Sequence, residues 1–149
     1  MIDLAIRNVR VLDGSGAPAF VADVEVDEGR IRSVGRAGSA RREVDGRGAC
    51  LAPGFIDTHA HDDGAFFRHP GMEFKLAQGC TSLVIGNCGF SMAPLSDISR
   101  TYAQETLQQF AYSGPVNWSS FTDYLDEVAQ MKTAENLAYF VGHNAIRTA

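Results

Sequence analysis

Two histidines separated by a single residue, His59 and His61, stand just after a short apolar stretch and just after Asp57. If FIDTHAH is a β-strand, the alternation of side chains places Asp57, His59 and His61 on the same face. Imidazoles two strand positions apart lie about 6–7 Å apart at the backbone, which is close enough for both to bind one metal ion. The alternative is a pair of ordinary polar residues at a strand end. The spacing favours a metal site.

A cysteine, Cys88, follows the next apolar stretch, TSLVIGN. The interval from His61 to Cys88 is close to one strand–helix–strand repeat of roughly 30 residues. Because the carboxyl ends of neighbouring parallel strands meet at one edge of a sheet, we expect Cys88 to lie near the two histidines. A thiolate there is a strong zinc ligand, whereas the alternative is a buried, inert thiol. Together with the histidine pair, the position of Cys88 favours metal ligation.

Polar residues also follow the third apolar stretch, LAYFVGH. His143 ends this stretch and Arg147 comes soon after it. Together with Asp57, they are candidates for hydrogen bonding to the metal ligands or for orienting a substrate. A hydrogen-bonded histidine at a strand end, without such a role, explains His143 equally well. His69, which precedes Pro70, is assigned to the solvent-exposed surface.

The elements that carry these residues fall into two regions. Residues 1–53 alternate apolar and polar positions, and Glu28-Gly29 marks the turn of a hairpin, so this region is predicted to be a small β module. In residues 54–149 apolar strands alternate with helical patterns, of which SSFTDYLDEVAQM, with Ser120 as its N-cap, is the clearest. Strands buried on both faces and linked by helices predict a parallel sheet in an α/β fold.

Composition and charge narrow the classes of function. The chain has 149 residues and a formal net charge of −5, which disfavours a general nucleic-acid binder. No apolar run approaches the roughly 20 residues that span a bilayer, and Arg7 and Arg10 interrupt the N-terminal region where a signal peptide has its apolar core. Three cysteines do not resemble a disulfide framework. We therefore expect a cytoplasmic protein that binds neither nucleic acid nor membranes.

Four stretches of the sequence together resemble a known family: VDGRGACLAPGFIDTHAH, QGCTSLVIGNCGFSMAP, NWSSFTDYLDEV and VGHNAIR. The N-terminal part resembles the opening of the amidohydrolase superfamily, in which a small β-sandwich leads into His-x-His on the first barrel strand. The whole chain, from about residue 2 to 149, is similar to the N-acyl-D-amino-acid deacylase (D-aminoacylase) family.

The resemblance implies a fold, a cofactor and a reaction. The fold would be a small N-terminal β-sandwich followed by the first three βα units of a (β/α)8 barrel. One or two zinc ions are implied, with His59 and His61 on one metal. Cys88 would stand where a carboxylated lysine bridges the metals in many superfamily members. The implied substrate is a small N-acyl-D-amino acid, whose amide is hydrolysed to a carboxylate and a D-amino acid.

The resemblance also implies that the site is incomplete in this chain. A full barrel takes about 250 residues, far more than residues 54–149, and the family's other ligands and its general base come from later strands. We therefore expect this chain alone to be inactive, and to self-associate or pair with a complementing C-terminal segment. Two alternatives are a cyclic-amide hydrolase resembling dihydroorotase or hydantoinase, and a truncated metal-binding module without catalysis.

Overall fold

The computed structural model of the protein describes residues 1–109 and 112–149. The chain divides into two compact units, Met1–Pro53 and Gly54–Ala149. The helix expected over SRTYAQETLQQFAY would pass through Phe110 and Ala111, and that part of the expectation lies outside the described residues. Within the described ranges, no helix has both the length and the apolar character needed to span a membrane.

The first unit is a five-stranded mixed sheet with the order β3-β2-β1-β4, in which β5 also pairs with β1. The β2–β3 hairpin turns at Glu28-Gly29, as predicted, and both residues have the positive φ values that a type I′ turn requires. Val9, Val11 and Val24 form the small apolar core of this unit. The sandwich expected for this region stays a prediction. The strands are β1 (Ile2–Val11), β2 (Phe20–Asp27), β3 (Arg30–Gly35), β4 (Ala40–Asp45) and β5 (Cys50–Leu51).

The second unit contains a three-stranded sheet with the order β6-β7-β8, and both pairings are parallel, as the alternation of strands and helices predicts. Five helices accompany these strands among the described residues. In chain order the elements are β6 (Phe55–Asp57), α1 (Ala65–Arg68), α2 (Glu73–Leu76), β7 (Cys80–Ile85), α3 (Asp97–Gln109), α4 (Phe121–Ala129), β8 (Asn136–Tyr139) and α5 (His143–Thr148).

Aromatic side chains build the core of the second unit. Trp118 and Tyr124 are almost fully buried, and the ring of Phe67 stacks on Trp118 with centroids 5.4 Å apart. The indole Nε1 of Trp118 donates a hydrogen bond to the carbonyl oxygen of Met92 at 2.6 Å. Helix α4 buries Tyr124 and Val128, so the periodic apolar face predicted for it does pack into this core.

The strands of this unit are shorter and less buried than predicted. β6 ends at Asp57, before the histidines, and β8 ends at Tyr139. The expectation of burial on both faces is wrong for β6, because Phe55 and Ile56 are 61% and 63% exposed. Leu83 of β7 is fully buried in the core of this unit. No described element covers the side chains of Phe55 and Ile56 in the same way. His59 and His61 therefore lie in the loop that follows β6.

Candidate metal centre

The loop after β6 carries His59 and His61. The backbone N–H of His59 donates to Asp57 Oδ1 at 3.2 Å, which is the local turn that aspartate favours and which ends the strand. The N–H of Ala60 donates to the carbonyl oxygen of Val84 on β7 at 3.1 Å. The loop therefore follows β7 for one further residue, with Ala60 buried and the histidines on either side exposed.

The two imidazoles and the Cys88 thiol come together at this loop. The rings of His59 and His61 have centroids 5.4 Å apart, and 3.1 Å separates His59 Nε2 from Cys88 Sγ. One ligand atom from each of the three residues lies within 4.8 Å of the others. The structure thus brings together the three residues expected to bind metal. Cys88 is exposed rather than buried, which removes one ground for regarding it as an inert thiol.

Tight backbone geometry after β7 positions Cys88. Cys88 itself has a φ of 55°, between Gly86 and Gly89 at 82° and 84°. A Cβ on Gly86 would meet the carbonyl oxygen of Phe140 at 2.1 Å, so only glycine fits the close approach of this loop to the end of β8. The Gly86 N–H also donates to Asp63 Oδ1 at 2.9 Å, which ties the cysteine loop to the histidine loop.

Asn87 forms a second link between the two loops. Its Nδ2 donates to the carbonyl oxygen of Ala60 at 3.2 Å and to that of Val84 at 2.7 Å. The first of these bonds anchors the residue that lies between the two histidines. Asn87 therefore fixes the middle of the histidine loop against β7, immediately before the cysteine in sequence.

The ends of the histidine loop are held by a lysine. Lys75 Nζ lies 2.9 Å from Asp57 Oδ2 and 2.8 Å from Asp62 Oδ2. The hydrogen bond from Lys75, followed by the one from the His59 N–H, lowers the pKa of the Asp57 carboxyl below its usual value. Burial raises the pKa of the neighbouring Asp63 carboxyl. Asp57 thus faces Lys75 and the His59 backbone, and it does not share a strand face with the two histidines as predicted.

His143 and Arg147 are displaced from their expected positions. His143 was expected to end the third strand, but β8 stops at Tyr139 and His143 is the first residue of α5. Gly142 comes too close to the Gly89 backbone for a side chain, and the chain turns there into the helix. Both His143 and Arg147 are exposed, and neither side chain hydrogen-bonds to the cluster within the described ranges. Their expected roles stay predictions.

A cleft of about 540 Å³ opens beside His61. Its lining is mostly apolar, with Met92, Leu95 and Ile98 among the contributors, and Asp63 and Asn144 add polar groups. Sequence reasoning did not anticipate this cleft. A volume of this order lies in the range that small-molecule ligands occupy.

The donor set fits zinc. Two imidazole nitrogens and one thiolate are ligands that zinc prefers, at about 2.0–2.3 Å, so that neighbouring ligands around one tetrahedral ion stand roughly 3.3–3.8 Å apart. The three ligand atoms of this cluster already lie within 4.8 Å. Small side-chain rotations would therefore suffice for them to hold one ion.

Three residues that hold the site together were not predicted from the sequence. Asn87 directly precedes Cys88, and Asp63 lies two residues after His61. Their closeness in sequence to the predicted ligands is the one signal that could have identified them. Lys75 lies on the short helix α2, and nothing in its spacing relates it to the histidines. Its contacts follow only from the fold, which brings Lys75 within ion-pair distance of Asp57 at the end of β6.

Comparison with known proteins identifies relatives of this chain. The sequence model of the amidohydrolase family matches residues 42–143. N-acyl-D-aspartate deacylase from Alcaligenes xylosoxydans xylosoxydans is 40% identical over 99% of this chain, which spans 29% of that relative. The crystal structure of N-acyl-D-glutamate deacylase from Bordetella bronchiseptica, complexed with zinc and a phosphonate inhibitor that mimics the tetrahedral intermediate, superposes with a TM-score of 0.85. It is 36% identical and matches 99% of this chain and 31% of its own.

A structure of D-aminoacylase with a binuclear metal centre also matches, with a TM-score of 0.85 and 39% identity over the whole of this chain and 31% of its own. The chain therefore spans about 30% of the length of these relatives and corresponds to their N-terminal portion. Since the family's sequence model matches well over half of its residues, the chain belongs to the amidohydrolase family.

Proposed function

We propose that this chain is the part of a zinc-dependent N-acyl-D-amino-acid deacylase that supplies His59, His61 and Cys88 as metal ligands. The observation that carries the proposal is the convergence of these three side chains, with ligand atoms within 4.8 Å of one another, at the carboxyl ends of parallel strands. In this proposal residues 54–149 are the first three βα units of a (β/α)8 barrel. Residues 1–53 are the small β-sandwich module.

Each residue has a distinct task in this function. His59, His61 and Cys88 would hold one or two zinc ions, and bound zinc would polarise the acyl carbonyl and lower the pKa of water. Asn87 keeps the histidine loop against β7, and Asp63 ties that loop to the cysteine loop. The cleft beside His61 offers room for the apolar part of a small N-acyl-D-amino acid. The products would be a carboxylate and a free D-amino acid.

The presence of Cys88 in the cluster favours a deacylase over a cyclic-amide hydrolase. Cyclic-amide hydrolases resembling dihydroorotase share the His-x-His opening, but a carboxylated lysine is expected at their metals. Among the described residues, the group with metal-binding geometry contains Cys88, and Lys75 forms ion pairs with Asp57 and Asp62 instead. A metal-binding module without catalysis has the same ligands, and it differs from the proposal only in what a completed protein does.

The test is zinc binding by the 149-residue chain, measured by competition with a chromophoric chelator. We expect His59→Ala, His61→Ala and Cys88→Ser each to weaken zinc binding by more than about 100-fold, because even the partners of metal ligands contribute roughly 10–100-fold. Cobalt substitution should give a thiolate-to-cobalt charge-transfer band that the Cys88→Ser variant lacks.

Matched controls are available in the same chain. His69→Ala and Cys50→Ser remove the same types of side chain from exposed positions outside the cluster, and they should leave zinc affinity unchanged. If Cys88→Ser bound zinc as tightly as the wild-type chain, the proposed site would be wrong.

A further inference from the structure

Lys75 bridges the two ends of the histidine loop. Its ammonium contacts Asp57, two residues before His59, and Asp62, directly after His61. All three side chains are largely shielded from solvent, with exposures of 17% for Lys75, 29% for Asp57 and 19% for Asp62. One cation on α2 thus fixes both points at which the histidine-bearing segment begins and ends.

Asp57 transmits this restraint to a predicted ligand. Asp57 Oδ2 accepts from Lys75, while Asp57 Oδ1 accepts from the backbone N–H of His59. Because the two oxygens belong to one planar carboxylate, holding one of them fixes the direction of the other. The orientation of the His59 backbone therefore depends on Lys75 through a single side chain.

The restraints at the middle of the loop do not replace this one. Ala60 is bound to Val84 through its N–H and to Asn87 through its carbonyl oxygen. Those bonds fix Ala60 itself, whereas the backbone N–H of His59 is held by Asp57. Without Lys75, Asp57 and Asp62 would also be two partly buried carboxylates with no cation between them, and the loop would respond by moving them toward water.

The charge state of Lys75 agrees with this role. Burial opposes its charge, but the hydrogen bonds with Asp62 and Asp57 outweigh that effect, and the pKa of Lys75 lies above its usual value. Partly buried ion pairs of this kind contribute little net stability, and their best-attested use is to specify one conformation. A conformation-specifying role is what a preorganised metal site needs.

We propose that Lys75 is a positioning residue for the metal site, which raises zinc affinity by holding His59 and His61 in the ligating arrangement through Asp57 and Asp62. It does not touch the metal or the substrate. This inference rests on the proposed zinc site, and the ligand variants described above test that site separately.

The experiment compares zinc affinities in the 149-residue chain. We expect Lys75→Met, which keeps the length of the side chain and removes its charge, to weaken zinc binding by about tenfold or more, since outer partners of metal ligands contribute roughly 10–100-fold. Lys75→Arg should restore most of the affinity, because a guanidinium can contact both carboxylates. Lys132→Met, which changes the only other lysine of the sequence, is the matched control and should have no effect.

A cobalt spectrum separates positioning from simple stabilisation. If Lys75 positions the ligands, the charge-transfer and d–d bands of the cobalt-loaded Lys75→Met chain should shift even where the chain is fully folded. If Lys75 only stabilises the fold, the unfolding midpoint falls while the spectrum and the affinity of the folded chain stay unchanged, and the proposal is overturned.

A second variant covers the case in which Lys75→Met does not fold. Asp62→Asn keeps the Lys75–Asp57 pair and replaces the ion pair at the far end of the loop by at most a neutral hydrogen bond, so a smaller loss of zinc affinity is expected. Unchanged affinity in a folded Asp62→Asn chain would contradict the proposal. If instead His59→Ala and Cys88→Ser also bound zinc normally, the zinc site itself would be refuted rather than the role of Lys75.

Discussion

At the scale of single residues, Glu135 is a buried carboxyl group that has no part in the proposed metal site. It is 4% exposed, and neither carboxylate oxygen hydrogen-bonds to any residue that the structure describes. Burial raises its pKa above the usual value, in an environment that also contains Lys75, Asp62 and Asp57. An acid that resists ionisation in the folded state lowers stability as the pH rises from its ordinary pKa to its raised one, because the unfolded chain releases the proton first.

We therefore predict that Glu135→Gln, which cannot ionise, becomes more stable relative to the wild-type chain as the pH rises from about 4.5. The gain should reach about 1.4 kcal/mol for each unit by which folding raises the pKa of Glu135. Urea unfolding followed by the fluorescence of Trp118, the single tryptophan, reports on this unit. The lowered pKa of Asp57 also makes stability depend on pH, but this contribution is the same in both proteins and cancels in their difference. A pH-independent difference, or one that Glu105→Gln at an exposed position reproduces, would contradict the assignment.

At the scale of elements, helix α4 depends on its N-terminal cap. Ser120 Oγ accepts from the Asp123 N–H at 3.1 Å, and Asp123 Oδ2 accepts from the Ser120 N–H at 2.9 Å. We predict that Ser120→Ala lowers the free energy of unfolding by about 1 kcal/mol, the usual effect of losing such a cap. Urea unfolding monitored by Trp118 fluorescence measures it. Ser113→Ala, in an exposed loop position, should change stability by less than about 0.5 kcal/mol. Equal effects of the two substitutions would show that the cap is not what matters.

The same scale shows how far the sequence predicts the structure. Helix α4 was predictable because its apolar period and its cap are local signals. Helices α1 and α5 were not, since they span four and six residues, too few for a period to be recognised. Tertiary contacts hold them instead: Phe67 of α1 stacks on Trp118, and the N–H of Asn144 in α5 donates to the carbonyl oxygen of Gly89.

The candidate site was predictable in its residue types and not in its geometry. His59, His61 and Cys88 were grouped from their spacing, and the structure does bring them together. The strand alternation used to argue for them does not apply, because the local turn at Asp57 ends β6 before His59. Lys75 and Asn87 could not be found from spacing, since their contacts depend on how α2 and the loop after β7 pack against the histidine loop.

At the scale of the whole molecule, the sheet of the second unit has two outer strands without further partners among the described residues. β6 and β8 flank β7, and Phe55, Ile56 and Phe140 near their ends are more than half exposed. Apolar strand edges of this kind favour pairing with further strands. With three candidate ligand residues at one edge and relatives about three times as long, we expect the proposed deacylase activity to require groups in addition to these three side chains.

We therefore predict that the zinc-loaded 149-residue chain does not hydrolyse N-acetyl-D-methionine or its L-enantiomer. A chimera in which this chain replaces the matching 29% of the N-acyl-D-aspartate deacylase should hydrolyse N-acetyl-D-aspartate and not the L-enantiomer, because the chain supplies the ligands and its host the remainder. Cys88→Ala in the chimera should abolish turnover, and His69→Ala should not. A folded, zinc-binding chimera without turnover would favour a metal-binding module without catalysis. Turnover by the chain alone would mean that its own residues, or a second copy of it, complete the site.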